Sequence, residues 1–241
     1  MGKLKRDTLQ EQAVMALLGM IKEGYFADNR LPAEEELAQM LGISRGTLRE
    51  ALHVLDKACI ITKKQGKGTY FHRDIALLGG RLDLTIDFIE ILEGQGGVAR
   101  LETSRPAKTA PSAEAKVKLR LKPEEEVWSF DWLYFKNESP AILAEIEIPH
   151  RYFSAADWQP GPWRTLTEYY RRHCVGELVK MAIWMKSRSY DRAAGIFQVD
   201  AATPLTWWEE VWYTLEDNPA CYVGVYFKPC LVELALVTSP P

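Results

Sequence analysis

The sequence predicts an α+β protein in two parts: a helical segment closed by a short β-hairpin, then a half built on an antiparallel sheet. Three observations carry this. Apolar residues recur at helical spacing, with caps, across roughly the first sixty residues. Gln65-Gly66-Lys67-Gly68-Thr69 forms a tight basic turn between two short β-rich runs. From Val127 to Pro149, two alternating apolar stretches flank the polar turn Asn137-Glu138-Ser139-Pro140.

The helices follow in order. Thr8 caps a helix whose Val14, Leu17, Leu18 and Ile21 share one face before Gly24 ends it. After the extended Arg30-Leu31-Pro32, a second helix runs from Ala33 to Leu41, with Glu34, Glu35 and Glu36 in its first turn, where they favour the helix dipole, and Gly42 just past its end. Ser44 is a good N-cap for the third helix. Its Leu48, Ala51, Leu52 and Leu55 point inward, leaving Arg45, Gly46, Thr47 and Arg49 outside. A three-residue turn between the second and third helices is helix-turn-helix geometry, and the basic hairpin after it reads as a wing.

That pattern suits double-stranded DNA. Arginine can bond a guanine edge bidentately in the major groove, Ser and Thr can bond phosphate or touch a thymine methyl, and a helix N-terminus attracts phosphate. Gly46 admits a close backbone approach, Gly66 and Gly68 permit the tight turn, and Lys67 presents a cation. Net charge argues only weakly. The chain carries −3 overall, but residues 1–74 hold 12 Lys/Arg against 10 Asp/Glu, so the basic excess is N-terminal. The local placement of charge therefore decides.

Leu31-Pro32-Ala33-Glu34 through Glu36-Leu37-Ala38, Leu41-Gly42-Ile43-Ser44-Arg45 through Leu48-Arg49-Glu50-Ala51-Leu52, and Gln65-Gly66-Lys67-Gly68-Thr69-Tyr70 together resemble the N-terminal domain of the GntR family of bacterial regulators over residues 9–72. The resemblance implies that Ser44, Arg45, Thr47, Arg49, Gln65, Gly66 and Lys67 occupy DNA-contacting positions, which Gly46 and Gly68 join as the close-approach and turn glycines, and that a homodimer binds a short palindrome. Two departures stand out. Ala33 replaces the usual Ser cap, and Glu35 stands where the family often has an Arg used on DNA. A carboxylate repels phosphate but can accept from cytosine N4. The expectation is an operator that departs from the family's usual half-site, or a weaker one; normal affinity for the common half-site in an anisotropy titration counts against it.

Residues 75–83, with Leu77-Leu78-Gly79-Gly80, read as a linker between a DNA-binding domain (1–74) and a second domain (84–241). Within the latter, Val127–Phe135 and Ala141–Pro149 read as paired strands, the runs 206–215, 220–227 and 231–237 as further strands of the sheet, and 113–119 and 166–174 as covering helices. This order resembles the UTRA effector-binding domain of the HutC-like branch of the GntR family, which has a chorismate lyase-like fold. The carrying features are the helix near 113–119, the strand–turn–Pro–strand passage ending at Phe153, Thr165-Leu166 and Thr203-Pro204-Leu205.

Sugar-phosphate-sensing relatives often carry an Arg-x-Arg pair and a following Glu at positions that here are Trp132, Tyr134 and Ala144, so the anion-binding pair is absent. Strand alternation places Trp128, Phe130, Trp132 and Tyr134 with Ile142, Ala144, Ile146 and Ile148 on one buried face, and Ser129, Asp131, Glu145 and Glu147 on the other. Aromatic rings there either fill the core or enclose a ligand. The resemblance assigns Trp132, Tyr134, Ala144, Thr165 and Tyr226 to an effector pocket; Arg188, which no family position supplies, is a candidate anion partner. An aromatic, sugar-like or cationic effector is expected rather than a sugar phosphate; tight calorimetric binding of a sugar phosphate argues otherwise.

The functional expectation is a bacterial sequence-specific transcription regulator, a repressor released from its palindromic operator by a small metabolite. No nucleophile–base pair or phosphate loop is evident, and Cys59, Cys174, Cys221 and Cys230 stand apart from the four histidines, so neither catalysis, metal nor cofactor is expected. The cysteines read as reduced core thiols. No apolar run approaches membrane-span length, and Met1–Arg6 leads into an amphipathic helix rather than a signal-peptide core, so a cytoplasmic protein with no membrane partner is expected. The alternatives are an enzyme on the lyase-like fold, which turnover of candidate ligands supports, and an effector-independent DNA-binding protein, whose DNA affinity is indifferent to metabolites.

Overall fold

A computed structural model describes residues 8–84, 87–153, 161 and 163–239, which leaves the Met1–Arg6 reading outside the described residues. The chain forms two compact units, residues 1–85 with 234–241, and residues 86–233.

In the first unit, α1 (Leu9–Glu23) begins with a capping box: the Thr8 hydroxyl accepts from Glu11 N–H, and the Glu11 carboxylate accepts from Thr8 N–H. It ends at left-handed Gly24. Helix α2 (Glu34–Leu41) has no side-chain cap at Ala33 and closes at Gly42, with φ 64°. Helix α3 (Arg45–Lys57) is capped by Ser44, whose hydroxyl accepts from Thr47 N–H at 3.1 Å. Leu17, Ile21, Leu37, Leu48, Leu52 and Leu55 meet Ile61 and Phe71 of the hairpin β1 (Ile61–Lys64) and β2 (Gly68–Phe71) in one core. The uncapped start of α2 invites a direct check. Ala33→Ser stabilises this unit by about 1 kcal/mol, since the new hydroxyl satisfies an orphan N–H of the first turn. A raised urea midpoint at unchanged slope checks it.

Residues 75–83 are less of a free linker than the glycine pair suggested. Arg73–Leu77 form the short helix α4, and Arg81, only 3% exposed, donates to the Ala58 carbonyl at the end of α3 at 2.6 Å and pairs with Asp83. Nor is 231–237 a strand of the large sheet. Pro229 lacks an N–H, Cys230 adopts φ 60°, and the chain turns there. Ala235 instead bonds Gly80 and Leu82, each at 2.9 Å, within the first unit. A buried guanidinium needs partners, and the α3 terminus and Asp83 supply them, which is why the segment is held.

The second unit is a seven-stranded antiparallel sheet in the order β3 (Ala99–Thr103), β5 (Val127–Lys136), β6 (Ser139–Pro149), β9 (Pro219–Phe227), β8 (Leu205–Thr214), β7 (Leu178–Arg188), with β4 (Ala107–Thr109) also on β5. Asn137 and Glu138, both at positive φ, make the β5–β6 turn. Register sets Trp132 opposite Ala144 and Tyr134 opposite Ile142, so the predicted faces hold. Both faces are covered, however. Phe88 of α5 (Phe88–Gly94) and Tyr169 of α7 (Leu166–His173) pack on the Trp132 face, with Phe88 at 5.2 Å from Tyr134 and Tyr169 at 5.8 Å from Trp132. On the opposite face α6 (Ala113–Lys118) packs Ala115 among Val127, Val211 and Tyr222, and α8 (Asp191–Phe197) packs Phe197 among Leu143, Trp207 and Tyr226. This explains why every residue of β9 is buried.

Candidate functional sites

On the first unit, Arg45, Gly46 and Arg49 are exposed at the start of α3, and Thr47 is half-buried with its hydroxyl 2.9 Å from that of Ser44. Cap and neighbour thus tie each other down. The two arginines do not pair with each other along the helix; they reach the first turn of α2, Arg45 to Glu35 and Arg49 Nε to Glu34 at 2.7 Å. Glu35 therefore sits against Arg45 rather than standing alone. Among the described residues a Cβ at Gly46 would meet only Ser44 Oγ, at 3.6 Å, so none of them requires glycine there.

The wing turn closes with Lys67 N–H donating to the Lys64 carbonyl at 3.0 Å, and its glycines take φ 72° (Gly66) and 100° (Gly68). Gln65, Gly66, Lys67 and Gly68 are all exposed, joined by Lys63 and Lys64. Sequence reasoning passed over these two lysines although their run was visible. Arg30 packs against Gly68, where a Cβ would come within 2.9 Å of its Nε.

The second unit brings together four of the six expected pocket residues. Trp132, Tyr134, Ala144 and Thr165 line a cavity of about 230 Å³ with Asp87, Phe88, Ile146, Arg164, Trp212, Val223 and Glu210. Thr165 is also the N-cap of α7, accepting from Glu168 N–H at 3.2 Å. Arg188 and Tyr226 do not belong to this set. Tyr226 lies opposite Leu143 and Arg188 opposite Leu205, which puts both on the other face of the sheet. There Arg188 stacks on Trp207 at 3.9 Å and bonds Glu114 at 3.0 Å and the Tyr226 hydroxyl. Period-two alternation is the reason: an odd shift between paired strands turns a side chain to the far side.

The consecutive acids of β8 divide between the faces. Glu209 meets Lys186, Lys118 at 3.8 Å and the Tyr222 hydroxyl at 3.3 Å. Glu210 faces the cavity side and accepts only from the indole N–H groups of Trp208 and Trp212, each at 2.9 Å. Among the described residues no cation pairs with it. Burial pushes its carboxyl up to about 7, against the pull of the two indole donors. Burial likewise raises Asp87, although Ile89 N–H bonds it at 2.8 Å, and holds the Tyr134 hydroxyl well above its ordinary value. The signal missed in the sequence was Trp208-Glu209-Glu210-Val211-Trp212 itself, since two successive acids inside an apolar strand must each find a solution on its own face.

Among the described residues no helix is long and apolar enough to cross a membrane. Of the cysteines Cys221 is buried and Cys230 exposed.

Residues 9–71 match the model of the bacterial regulatory proteins of the gntR family. The "Uncharacterized HTH-type transcriptional regulator YcbG" of Bacillus subtilis (strain 168) is 37% identical over 75 residues, covering 31% of this chain and only 32% of that protein. The "Mannosyl-D-glycerate transport/metabolism system repressor MngR" of Escherichia coli (strain K12) is 25% identical over 181 residues, 73% of this chain and 68% of that protein. Two solved structures share the fold. The "possible transcriptional regulator YydK" of Bacillus subtilis superposes over 97% of this chain and 100% of its own at TM-score 0.72 and 13% identity. The C-terminal domain of the histidine utilization repressor from Pseudomonas syringae covers 59% of this chain and 99% of its own at TM-score 0.51 and 14% identity. Residues 9–71, which hold the capped third helix and the wing, thus match the gntR family of bacterial regulatory proteins, and the second unit shares the fold of the C-terminal domain of the histidine utilization repressor.

Proposed function

We propose that the chain is a ligand-responsive transcriptional repressor that binds a palindromic operator as a homodimer and is released by a small metabolite held in the second unit. The observation that carries this is the pairing, in one chain, of an exposed Arg-Gly-Thr-x-Arg helix start and basic wing with a separate unit enclosing an aromatic-lined cavity. Ser44, Arg45, Gly46, Thr47 and Arg49 enter the major groove, with Gln65, Gly66, Lys67 and Gly68 of the wing on the adjoining backbone or minor groove. Two recognition helices must meet successive major grooves, which calls for a two-fold dimer. The likeness to MngR, by its name the repressor of a mannosyl-D-glycerate transport/metabolism system, supports a repressor of a metabolic system. The ligand acts through different affinities for the operator-competent and incompetent forms.

The test is a thermal-shift screen of metabolites from neighbouring genes, followed by anisotropy titration of operator DNA with and without each hit. Hits that weaken operator binding support the proposal. Turnover of a hit, or DNA affinity indifferent to every hit, counts against it.

Glu35 gives a sharper expectation. It neutralises Arg45 and faces the DNA side of α3, so Glu35→Gln raises operator affinity several-fold, on the order of 1 kcal/mol, by freeing the arginine and removing repulsion from phosphate. A loss of affinity confined to one base pair would instead make Glu35 a reader of cytosine.

A further inference from the structure

Three features of the cavity in the second unit converge on one chemical class. Its walls are largely aromatic and aliphatic: Phe88, Trp132, Tyr134, Ile146, Trp212 and Val223. Its floor holds the Glu210 carboxylate, whose oxygens each accept one indole N–H and keep lone pairs to spare. Among the described residues the Trp132 indole N–H, on a side chain only 1% exposed, has no hydrogen-bond partner. A buried carboxylate without a cation and a buried donor without an acceptor are both costly unless something supplies the missing groups. The sheet solves the same problem for Glu209, on the other face, with two lysines.

The charged and titratable groups around Glu210 do not complete it. Tyr134 comes from β5, Cys221 from β9 and Asp87 from the cap of α5, all neutral or acidic, and β7 sets Ile183 opposite it. Arg164, before α7, lies 3.9 Å from Glu93 and also acts on Asp87.

We propose that this cavity takes a compact organic cation, an amine with an aromatic or branched apolar body and one hydrogen-bond acceptor, with Glu210 as its counterion and Trp132 donating to the acceptor. The aromatic walls favour the cation as well as the body, since ring faces attract positive charge. The inference rests on the reading of the cavity as the effector site. A volume of about 230 Å³ limits the ligand to the size of a single substituted ring.

Three matched probes separate charge from shape on the full chain by calorimetry: tyramine (cation), 4-ethylphenol (neutral) and 4-hydroxyphenylacetate (anion). At pH 8 tyramine binds at least about tenfold more tightly than either analogue. Glu210→Gln, which keeps the volume, erases that preference and leaves 4-ethylphenol binding unchanged. In the unaltered chain tyramine affinity falls about tenfold per pH unit below 7, because a proton competes for Glu210; the glutamine variant loses this slope. Equal or better binding of the neutral or anionic probe, a preference that survives Glu210→Gln, or no binding of any probe overturns the proposal. Ala144→Phe, which fills the cavity, separates the two levels. If it abolishes binding of an anionic or neutral probe, only the charge assignment is wrong. If the bound probe still binds, the cavity is not the effector site.

Discussion

Replacing Arg45 and Arg49 together by alanine abolishes operator recognition while leaving the first unit folded. Each bidentate arginine contact to guanine is worth about 1–3 kcal/mol of discrimination, so the pair accounts for roughly 30-fold to more than 10⁴-fold in affinity. The folded chain loses little in exchange. Both side chains are exposed, and their ion pairs with Glu35 and Glu34 lie at the surface, where such pairs contribute little. The substituted positions are the first and fifth residues of α3, and alanine is the best helix former, so the Ser44 cap and the Leu48, Leu52 and Leu55 face remain. The expected outcome is a lost anisotropy signal with an unfolding midpoint shifted by no more than a few degrees. A smaller contrast is expected at Gly46, where alanine fits with only an ordinary contact to Ser44 Oγ and favours the helix, yet crowds an approaching DNA backbone.

The second large effect is the pH dependence contributed by Glu210. Its carboxyl is raised in the folded state to about 7, from an ordinary value of 4.5. A raised group holds its proton more tightly when folded, so its stabilising contribution is complete below the unfolded value and is lost as pH climbs from about 4.5 to 7. The loss amounts to roughly 3 kcal/mol, after which it is constant. Glu147 and Glu145 are also raised by burial, so the unaltered chain alone does not isolate the effect. The difference between it and Glu210→Gln does. Urea unfolding at pH 5 and pH 8 shows the variant gaining roughly 3 kcal/mol relative to the unaltered chain between the two. The glutamine keeps one acceptor for the two indole donors and leaves the other facing an amide, a cost of about 1–3 kcal/mol that is the same at both pH values and cancels. A flat difference would mean that Glu210 is ionised normally and that water reaches it. An amine ligand reverses part of the slope, since it stabilises the ionised form.

The first unit was almost fully legible in the sequence because its signals are local. Caps at Thr8 and Ser44, left-handed glycines at positions 24 and 42, and leucines at helical spacing each depend on residues within one turn of the chain. The β5–β6 hairpin was legible for the same reason, its alternation and its Asn137-Glu138 turn lying side by side. What the sequence hid depends on distant pairing. The face taken by Arg188 and Tyr226 is fixed by registers running β6 to β9 to β8 to β7, and no local pattern discloses such a chain of offsets. Strand β7 itself, Leu178-Val179-Lys180-Met181-Ala182-Ile183-Trp184-Met185, lacks clean alternation because it is an edge strand with both faces half-open. Asp87 and Phe88 were unreadable as cavity residues because only packing of α5 over β5 places them there. Leu231–Val237 has the composition of a strand, and its strand reading failed at Pro229 and Cys230, where the turn sends the segment to pair with Gly80 and Leu82.

In vitro selection from a randomised duplex library by the full chain, run in parallel with the Arg45→Ala/Arg49→Ala variant, tests the central claim most directly. The account predicts enrichment of one two-fold symmetric sequence, with half-sites separated by about one helical turn, and no enrichment by the variant. Failure to enrich any sequence, or recovery of the same sequence by the variant, would contradict it.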